Sequence, residues 1–164
     1  MAGNQNWETP PELFHLLNEE FHFKVDVAAS ATNTKAQHYI SIEENALNPE
    51  ISWTRTRADD EPRAAFCNPP YLDVLPWVVK AKKEIVQSSH GGVACILGLT
   101  VSSPLWWLYC CEYADEIRLM SPRVNFYDAD RGAKSANNRD NSLIVFRNPR
   151  INPTCLIKPW VWKG

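Results

Sequence analysis

No stretch of the chain approaches the roughly 18 consecutive apolar residues that a bilayer crossing needs. The opening Met-Ala-Gly-Asn-Gln-Asn-Trp has neither the basic nor the apolar region of a secretory signal. A soluble, intracellular protein with no membrane partner is expected. C-x-x-C spacing is also missing. The five cysteines, Cys67, Cys95, Cys110, Cys111 and Cys155, are odd in number and sit mostly in apolar runs, so they read as free thiols and no metal is expected. Basic charge is in short supply: Lys plus Arg number 17 against 19 for Asp plus Glu, a net charge of -2. That excludes binding to nucleic acid through overall positive charge, although not through a local basic face. Present in excess are Trp, with seven, and Pro, with twelve, which point to stacking surfaces and stiff loops. A hydrophobic content of 45% supports a packed core, and 164 residues fit one domain over 1–164.

Apolar periodicity and turn signals divide the chain into alternating helices and strands. Thr9 as N-cap, Pro10 and Pro11 at the first helical positions and Glu12 three residues on form a capping box. The helix it opens runs to Phe21 and buries Leu13, Phe14, Leu16, Leu17 and Phe21. Residues 23–29 alternate and then turn small, a short strand ending in a loop. Residues 38–42 form a second extended piece that runs into Glu43-Glu44-Asn45, and residues 48–63 read as polar loop with at most a turn of helix. Residues 64–67 are a buried strand stopped by Asn68-Pro69-Pro70-Tyr71, because proline cannot extend a central strand. Residues 74–89 carry a helical period through Val74, Trp77, Val78, Ala81 and Ile85, with Lys80, Lys82, Lys83 and Glu84 outward. Residues 92–99 are continuously apolar, as in a strand buried on both faces. A helix from Ser103-Pro104 to about Tyr113 follows, then strands at 117–120 and 142–147. Residues 156–162 are an edge strand or a tail. This order predicts an α/β fold with a mostly parallel central sheet, and the last two secure strands, flanking residues 124–141, predict a C-terminal antiparallel hairpin at one edge.

Asn68-Pro69-Pro70-Tyr71 is the strongest chemical signal. At average usage, a tetrad of this kind arises by chance in on the order of one chain in a thousand. An exocyclic amine or an amide nitrogen is a poor nucleophile because its lone pair is delocalised. Two neutral acceptors, the Asn68 side-chain oxygen and the Pro69 carbonyl, can take both N–H hydrogens and turn that lone pair toward an electrophile. The prolines hold the turn rigid, and Tyr71 offers a face for a planar target. Charge is unevenly distributed as well. Residues 118–150 hold seven basic and three acidic side chains, a local +4, which leaves -6 on the remainder. With Phe126, Tyr127 and several Asn among the charges, the 124–141 loop reads as an insertion that contacts phosphates and bases.

These residues resemble the amino-group methyltransferases that use S-adenosylmethionine. More closely, the chain is similar to the small phage-type DNA N6-adenine methyltransferases. The likeness rests on Trp7-Glu8-Thr9-Pro10, Asp26-Val27-Ala28-Ala29-Ser30, Tyr39 to Glu43, Cys67-Asn68-Pro69-Pro70-Tyr71, Arg123-Val124-Asn125-Phe126 and Asn137-Asn138. It implies a Rossmann-like class I methyltransferase fold and site-specific methyl transfer from S-adenosylmethionine to adenine N6 in DNA, with Asn68, Pro69, Pro70 and Tyr71 catalytic. For the cofactor it implies Trp7, with Thr9 and Pro10 at the methionine end, and Asp26 with Ala28, Ala29 and Ser30 at the ammonium or its water. Glu43 would take the ribose hydroxyls, with Glu44 as its competitor, and Asn45 the adenine edge, and Asn68 would also contact the cofactor. For DNA it implies Arg123, Phe126, Arg131, Lys134, Asn137, Asn138 and Arg139. The usual Gly-x-Gly is absent, replaced by Ala28-Ala29-Ser30, and Asn45 and Pro122 stand where Asp and Gly are expected. The same tetrad would serve a protein glutamine-amide or DNA cytosine-N4 methyltransferase, and a DNA-binding relative without catalysis is a further alternative. The resemblance also implies a phage- or prophage-encoded protein in the bacterial cytoplasm, while the oligomeric state carries no signal.

Overall fold

A computed structural model describes residues 7–54, 64–89, 91–101, 104–128, 131–134 and 137–164. Its elements in chain order are β1 (Trp7–Glu8), α1 (Pro11–Phe21), β2 (Phe23–Asp26), β3 (His38–Tyr39), β4 (Ala64–Cys67), α2 (Leu75–Ile85) and β5 (Gly92–Leu99). There follow α3 (Leu105–Tyr113), β6 (Glu116–Ser121), β7 (Tyr127–Asp128), β8 (Ala133–Lys134), β9 (Asn141–Asn148) and β10 (Leu156–Val161). Seven strands form one sheet in the order β10-β6-β9-β5-β4-β2-β3, all parallel to their neighbours except β9, which runs antiparallel between β5 and β6. The strands that flank 124–141, β6 and β9, do pair antiparallel, but β10 and β5 lie on either side of them, so the pair is interior and its expected place at an edge is corrected. β10 covers β6 in parallel, with the Leu156 N–H donating to the Asp115 carbonyl and the Trp162 N–H to that of Ser121.

α1 packs on one face of the sheet and α2 with α3 on the other. Leu13, Phe14, Leu17 and Phe21 join Phe23, Phe66, Cys95 and Leu97 in one cluster, while Val78, Ala81, Ile85 and Cys110 join Ala65, Ala94 and Ile96 in the other. The alternation of Ala94 and Ile96 against Cys95 and Leu97 accounts for the unbroken apolar run of β5. Gly91 opens that strand with φ 74, and a Cβ there would lie 2.9 Å from the Asn148 carbonyl oxygen. All five cysteines are free thiols. Among the described residues no helix is long and apolar enough to cross a membrane, and no group of three His, Cys, Asp or Glu is placed to hold a metal.

Other expectations also change. The N-cap of α1 is Pro10, not Thr9, and no side chain caps the helix. A residue that precedes proline is pushed out of the helical region, so Pro10 is extended at ψ 135 and the helix begins at Pro11. Glu12 faces Lys134 and Lys163 instead of closing a capping box. Leu16 is 36% exposed, because at 100° per residue it lies about 110° from the centre of the buried stripe. The 48–63 segment holds a core anchor that its polarity concealed: Trp53 is fully buried and its Nε1 donates to the Ala46 carbonyl at 2.8 Å. Residues 55–63 lie outside the described residues.

Lys80, outward by its helical spacing, is only 5% exposed. Its ammonium donates to the carbonyls of Asn48 and Ile51 at 3.0 and 2.7 Å and pairs with Glu84 at 2.8 Å. Glu84 in turn accepts from the Ser52 hydroxyl and the Trp53 N–H. Breaking such a buried pair strands the partner charge, so Lys80→Ala is expected to cost about 3 kcal/mol. The same change at exposed Lys83 should stay within about 0.5 kcal/mol. Urea denaturation of both variants checks this, and equal midpoints would remove the burial argument.

Candidate active site

The sheet order reverses between β2 and β4, since the chain runs outward from β2 to β3 and then returns to build β4 and β5. Ligands of open α/β sheets gather outside the strand carboxyl ends at such a point. Asp26 ends β2, opposite Phe66 of β4, and Asn68 follows two residues later. Between them opens a cleft of about 360 Å³, lined among others by Thr9, Asp26, Ala28, Ser30, Glu43 and Asn68.

Asp26 is 4% exposed, and burial pushes its carboxyl up to about 6, against the lowering effect of the Lys35 and Ala28 N–H groups and the Lys35 charge. The Lys35 N–H reaches Oδ2 at 3.2 Å. The loop beyond Asp26 is turned by the Ser30 N–H, which donates to Asn33 Oδ1 at 2.7 Å. Its small Ala28 and Ala29 leave backbone open to the cleft. Glu44 is engaged locally: its carboxylate accepts from the Ser41 N–H at 2.9 Å, and its own N–H donates to the Ser41 hydroxyl. Glu43, held below the usual carboxylate range by the Ser41 hydroxyl, lines the cleft. Asn45 adopts φ 58 and its Oδ1 accepts from the Leu47 N–H at 3.1 Å, so its oxygen shapes the turn. Thr9 and Trp7 complete the wall, the latter with its Nε1 buried and without a hydrogen-bond partner among the described residues.

A second cavity, of about 240 Å³, shares the Asn68 wall with the cleft. Trp7, Asn68 and Pro70 border both. Asn68 Nδ2 donates to the Trp7 carbonyl at 2.7 Å, and the Tyr71 hydroxyl donates to Asn68 Oδ1 at 2.9 Å. A carbonyl can only accept, so the amide orientation is determined and Oδ1 keeps one lone pair for another donor. Burial pushes the Tyr71 phenol well above its ordinary pKa and keeps it a neutral donor. Sequence reasoning assigned Tyr71 stacking alone and missed this hydroxyl contact.

The described residues of the 124–141 segment include two short strands, β7 and β8. β7 pairs antiparallel with β1, Trp7 opposite Asp128 and Glu8 opposite Tyr127, and β8 pairs with β7. Phe126, read from sequence as a DNA contact on an open loop, is 1% exposed and sits edge-on to Trp7 and Tyr71 at 5.7 and 5.9 Å. It belongs to the wall of the second cavity, with Asn137, Asn138 and Arg139. Asn137 also braces the segment, donating to the Val124 carbonyl and to Asn141 Oδ1. Arg123, Arg131 and Lys134 remain at the surface, paired with Asp140, Asp128 and Glu12.

The local surplus of basic charge is smaller than the sequence count. Arg118 bonds to Glu20 and Glu116, and Arg147 and Arg150 face Asp115. Arg147 is opposite Val93, at the far end of β5 from Leu99 at the second cavity. Lys35, Glu8 and Trp77 of the cleft, and Leu72 and Leu99 of the second cavity, were not identified from sequence. Lys35 bridges to Glu8 at 3.2 Å, a contact across 27 residues that no local spacing announces.

A mostly parallel sheet, a cleft at its switch point and an Asn-Pro-Pro-Tyr turn between two cavities define an amino-group methyltransferase. The family of DNA N-6-adenine-methyltransferases (Dam) matches residues 2–162, and the chain belongs to it. It is 29% identical over 147 residues to the DNA N-6-adenine-methyltransferase of Haemophilus phage HP1 (strain HP1c1), an alignment that covers 88% of this chain and 79% of that protein. The protein is a DNA adenine-N6 methyltransferase.

Asp26 has a measurable signature. A carboxyl raised from 3.8 to about 6 on folding opposes folding by roughly 3 kcal/mol wherever it is ionised in both states. The penalty is absent below about pH 4, grows between about pH 4 and 6, and is complete above. Asp26→Asn is therefore expected to raise the thermal midpoint at pH 8 and to lose that advantage near pH 4. A pH-independent difference would contradict the raised pKa.

Proposed function

We propose that the larger cleft takes S-adenosylmethionine and the second cavity takes the target adenine. The scaffold would be a single Rossmann-like class I methyltransferase domain carrying a recognition insertion at 124–141. The observation that carries this reading is the position of Asn68, on the border of both cavities with its amide held from two sides. The donor set of the cleft suits the cofactor. The buried Asp26 carboxylate would receive an ammonium, which favours its ionised form. Thr9 and the amino end of α1 would receive the carboxylate, Glu43 the ribose hydroxyls, and Ala28, Ala29 and Ser30 would allow close backbone approach. Trp7 and Asn45 would complete the surround, whereas Pro10, expected beside the cofactor, is the N-cap of α1 and does not line the cleft.

When bound, the cofactor supplies a methyl group on a positively charged sulfur, open to direct displacement. The protein's part is positioning. The remaining lone pair of Asn68 Oδ1 and the Pro69 carbonyl accept the two hydrogens of the target amine, which turns the nitrogen lone pair toward the cleft. The Tyr71 hydroxyl keeps Oδ1 in place, and the Pro69-Pro70 turn prevents recoil. The methylated nitrogen is acidic enough to release its proton to water, so no strong base is required. Asn137, Asn138 and Arg139 would meet the target base and its neighbours. Arg123, Arg131 and Lys134 would exchange their acidic partners for phosphates. The phage relative supports a phage or prophage origin, and on that reading the protein would act on DNA in the bacterial cytoplasm.

Incubation with unmethylated DNA and labelled cofactor, followed by nucleoside analysis, should yield N6-methyladenine; N4-methylcytosine or absence of label would overturn the reading. Asn68→Ala should lower turnover by about a hundredfold or more and leave S-adenosylhomocysteine affinity within about threefold by calorimetry. Retained turnover would remove Asn68 from catalysis. Replacing Arg131, Lys134 and Arg139 together by Ala should flatten the salt dependence of DNA binding by roughly 0.9 in log-log slope for each phosphate the variant no longer neutralises. An unchanged slope would place the DNA face elsewhere.

A further inference from the structure

We propose that Leu72 is a wedge that enters duplex DNA where the target adenine has left the stack. The proposal rests on the assignment of the second cavity to that adenine. Leu72 lines this cavity yet is 72% exposed. The other large apolar side chains around it, Trp7, Tyr71, Leu99 and Phe126, are half-buried or buried. Leu72 belongs to neither apolar core cluster, so folding does not account for its identity.

Its mounting is stiff. Tyr71, immediately before it, is hydrogen-bonded to Asn68 behind two prolines. Val74, two residues after it, is buried, and the Val74 carbonyl accepts from the N–H groups of Trp77 and Val78 at the start of α2. An apolar side chain held out toward solvent between two anchored positions is preorganised for insertion, because little freedom remains to be lost.

The need is physical. Extrusion breaks base pairing and stacking and leaves a gap between neighbouring bases. Branched aliphatic side chains fill such gaps, restoring dispersion contact without bringing in a polar atom that wants a partner. The extruded nucleotide stays tethered to its backbone, so the gap opens beside the mouth of the cavity, where Leu72 stands. Asn68 and Tyr71 act on the base after extrusion, whereas Leu72 acts on the duplex it has left.

The test uses the full chain with a duplex carrying 2-aminopurine at the target position, whose emission rises on unstacking. Wild type should brighten it, and Leu72→Ala should reduce the brightening at least about threefold at saturating protein, with Leu72→Met restoring most of it. Methylation of an ordinary duplex by Leu72→Ala should fall about tenfold or more. On a duplex with an abasic site opposite the target, whose adenine has no partner to leave, the loss should shrink to less than about twofold. Equal losses on the two duplexes, or undiminished brightening, would overturn the wedge. Asn68→Ala separates this from failure of the cavity assignment: it should be inactive on both duplexes, and activity there would overturn the cavity reading itself.

Discussion

The hydrogen bond from Asn68 Nδ2 to the Trp7 carbonyl joins residues 61 apart in sequence at 2.7 Å, and the orientation of the Asn68 amide at the border of both cavities depends on it. Trp7 lies on β1, which is paired on one side with the 124–141 insertion through β7. Asn68 lies at the carboxyl end of β4, in the middle of the main sheet. One bond therefore ties the central sheet to the element that would meet DNA. It also orients the amide, because the Trp7 carbonyl can accept and not donate. A shift of β1 would turn Asn68 and reshape the walls shared by the two cavities at once.

The buried charges divide into those that stabilise and those that do not. Lys80 with Glu84, and Arg118 with Glu20 and Glu116, are surrounded by partners that compensate their desolvation. Among the described residues no cationic side chain pairs with the Asp26 carboxylate; two backbone N–H groups and the nearby Lys35 charge do not offset its burial. A protein tolerates such a group where a ligand is to supply the missing charge, and strongly perturbed acids gather at functional sites for that reason.

Much of this was legible in the sequence, for reasons of chemistry rather than pattern alone. Short apolar runs that stop at proline or small residues located β2, β4 and β5, and helical spacing located α1 and α2 to within a few residues. The Asn-Pro-Pro-Tyr turn carried its chemistry in its residue types. What stayed hidden was long-range. Lys80 looks outward until a loop 30 residues earlier presents carbonyls to it. The +4 of residues 118–150 ignored Glu20, Asp115 and Glu116, which lie outside the segment and neutralise three of its arginines. Phe126 looked like a loop aromatic because the pairing of β7 with β1, which buries it, brings together residues 120 apart. Glu43 and Glu44 could not be separated by spacing; in the fold Glu43 lines the cleft, while Glu44 is held in reciprocal bonds with Ser41.

β10 borders the sheet, and among the described residues no further strand covers its outer side. Because Leu156 and Trp162 direct their N–H groups at β6, the alternation of a strand sends those of residues 157, 159 and 161 outward. The middle one does not exist, since residue 159 is proline. An incoming strand would find donors at Ile157 and Val161 and a gap between them, although both side chains are exposed and apolar. The proline thus interrupts the ladder on which a second chain would have to zip, which protects a sticky border against edge-to-edge polymerisation while leaving the pairing with β6 intact.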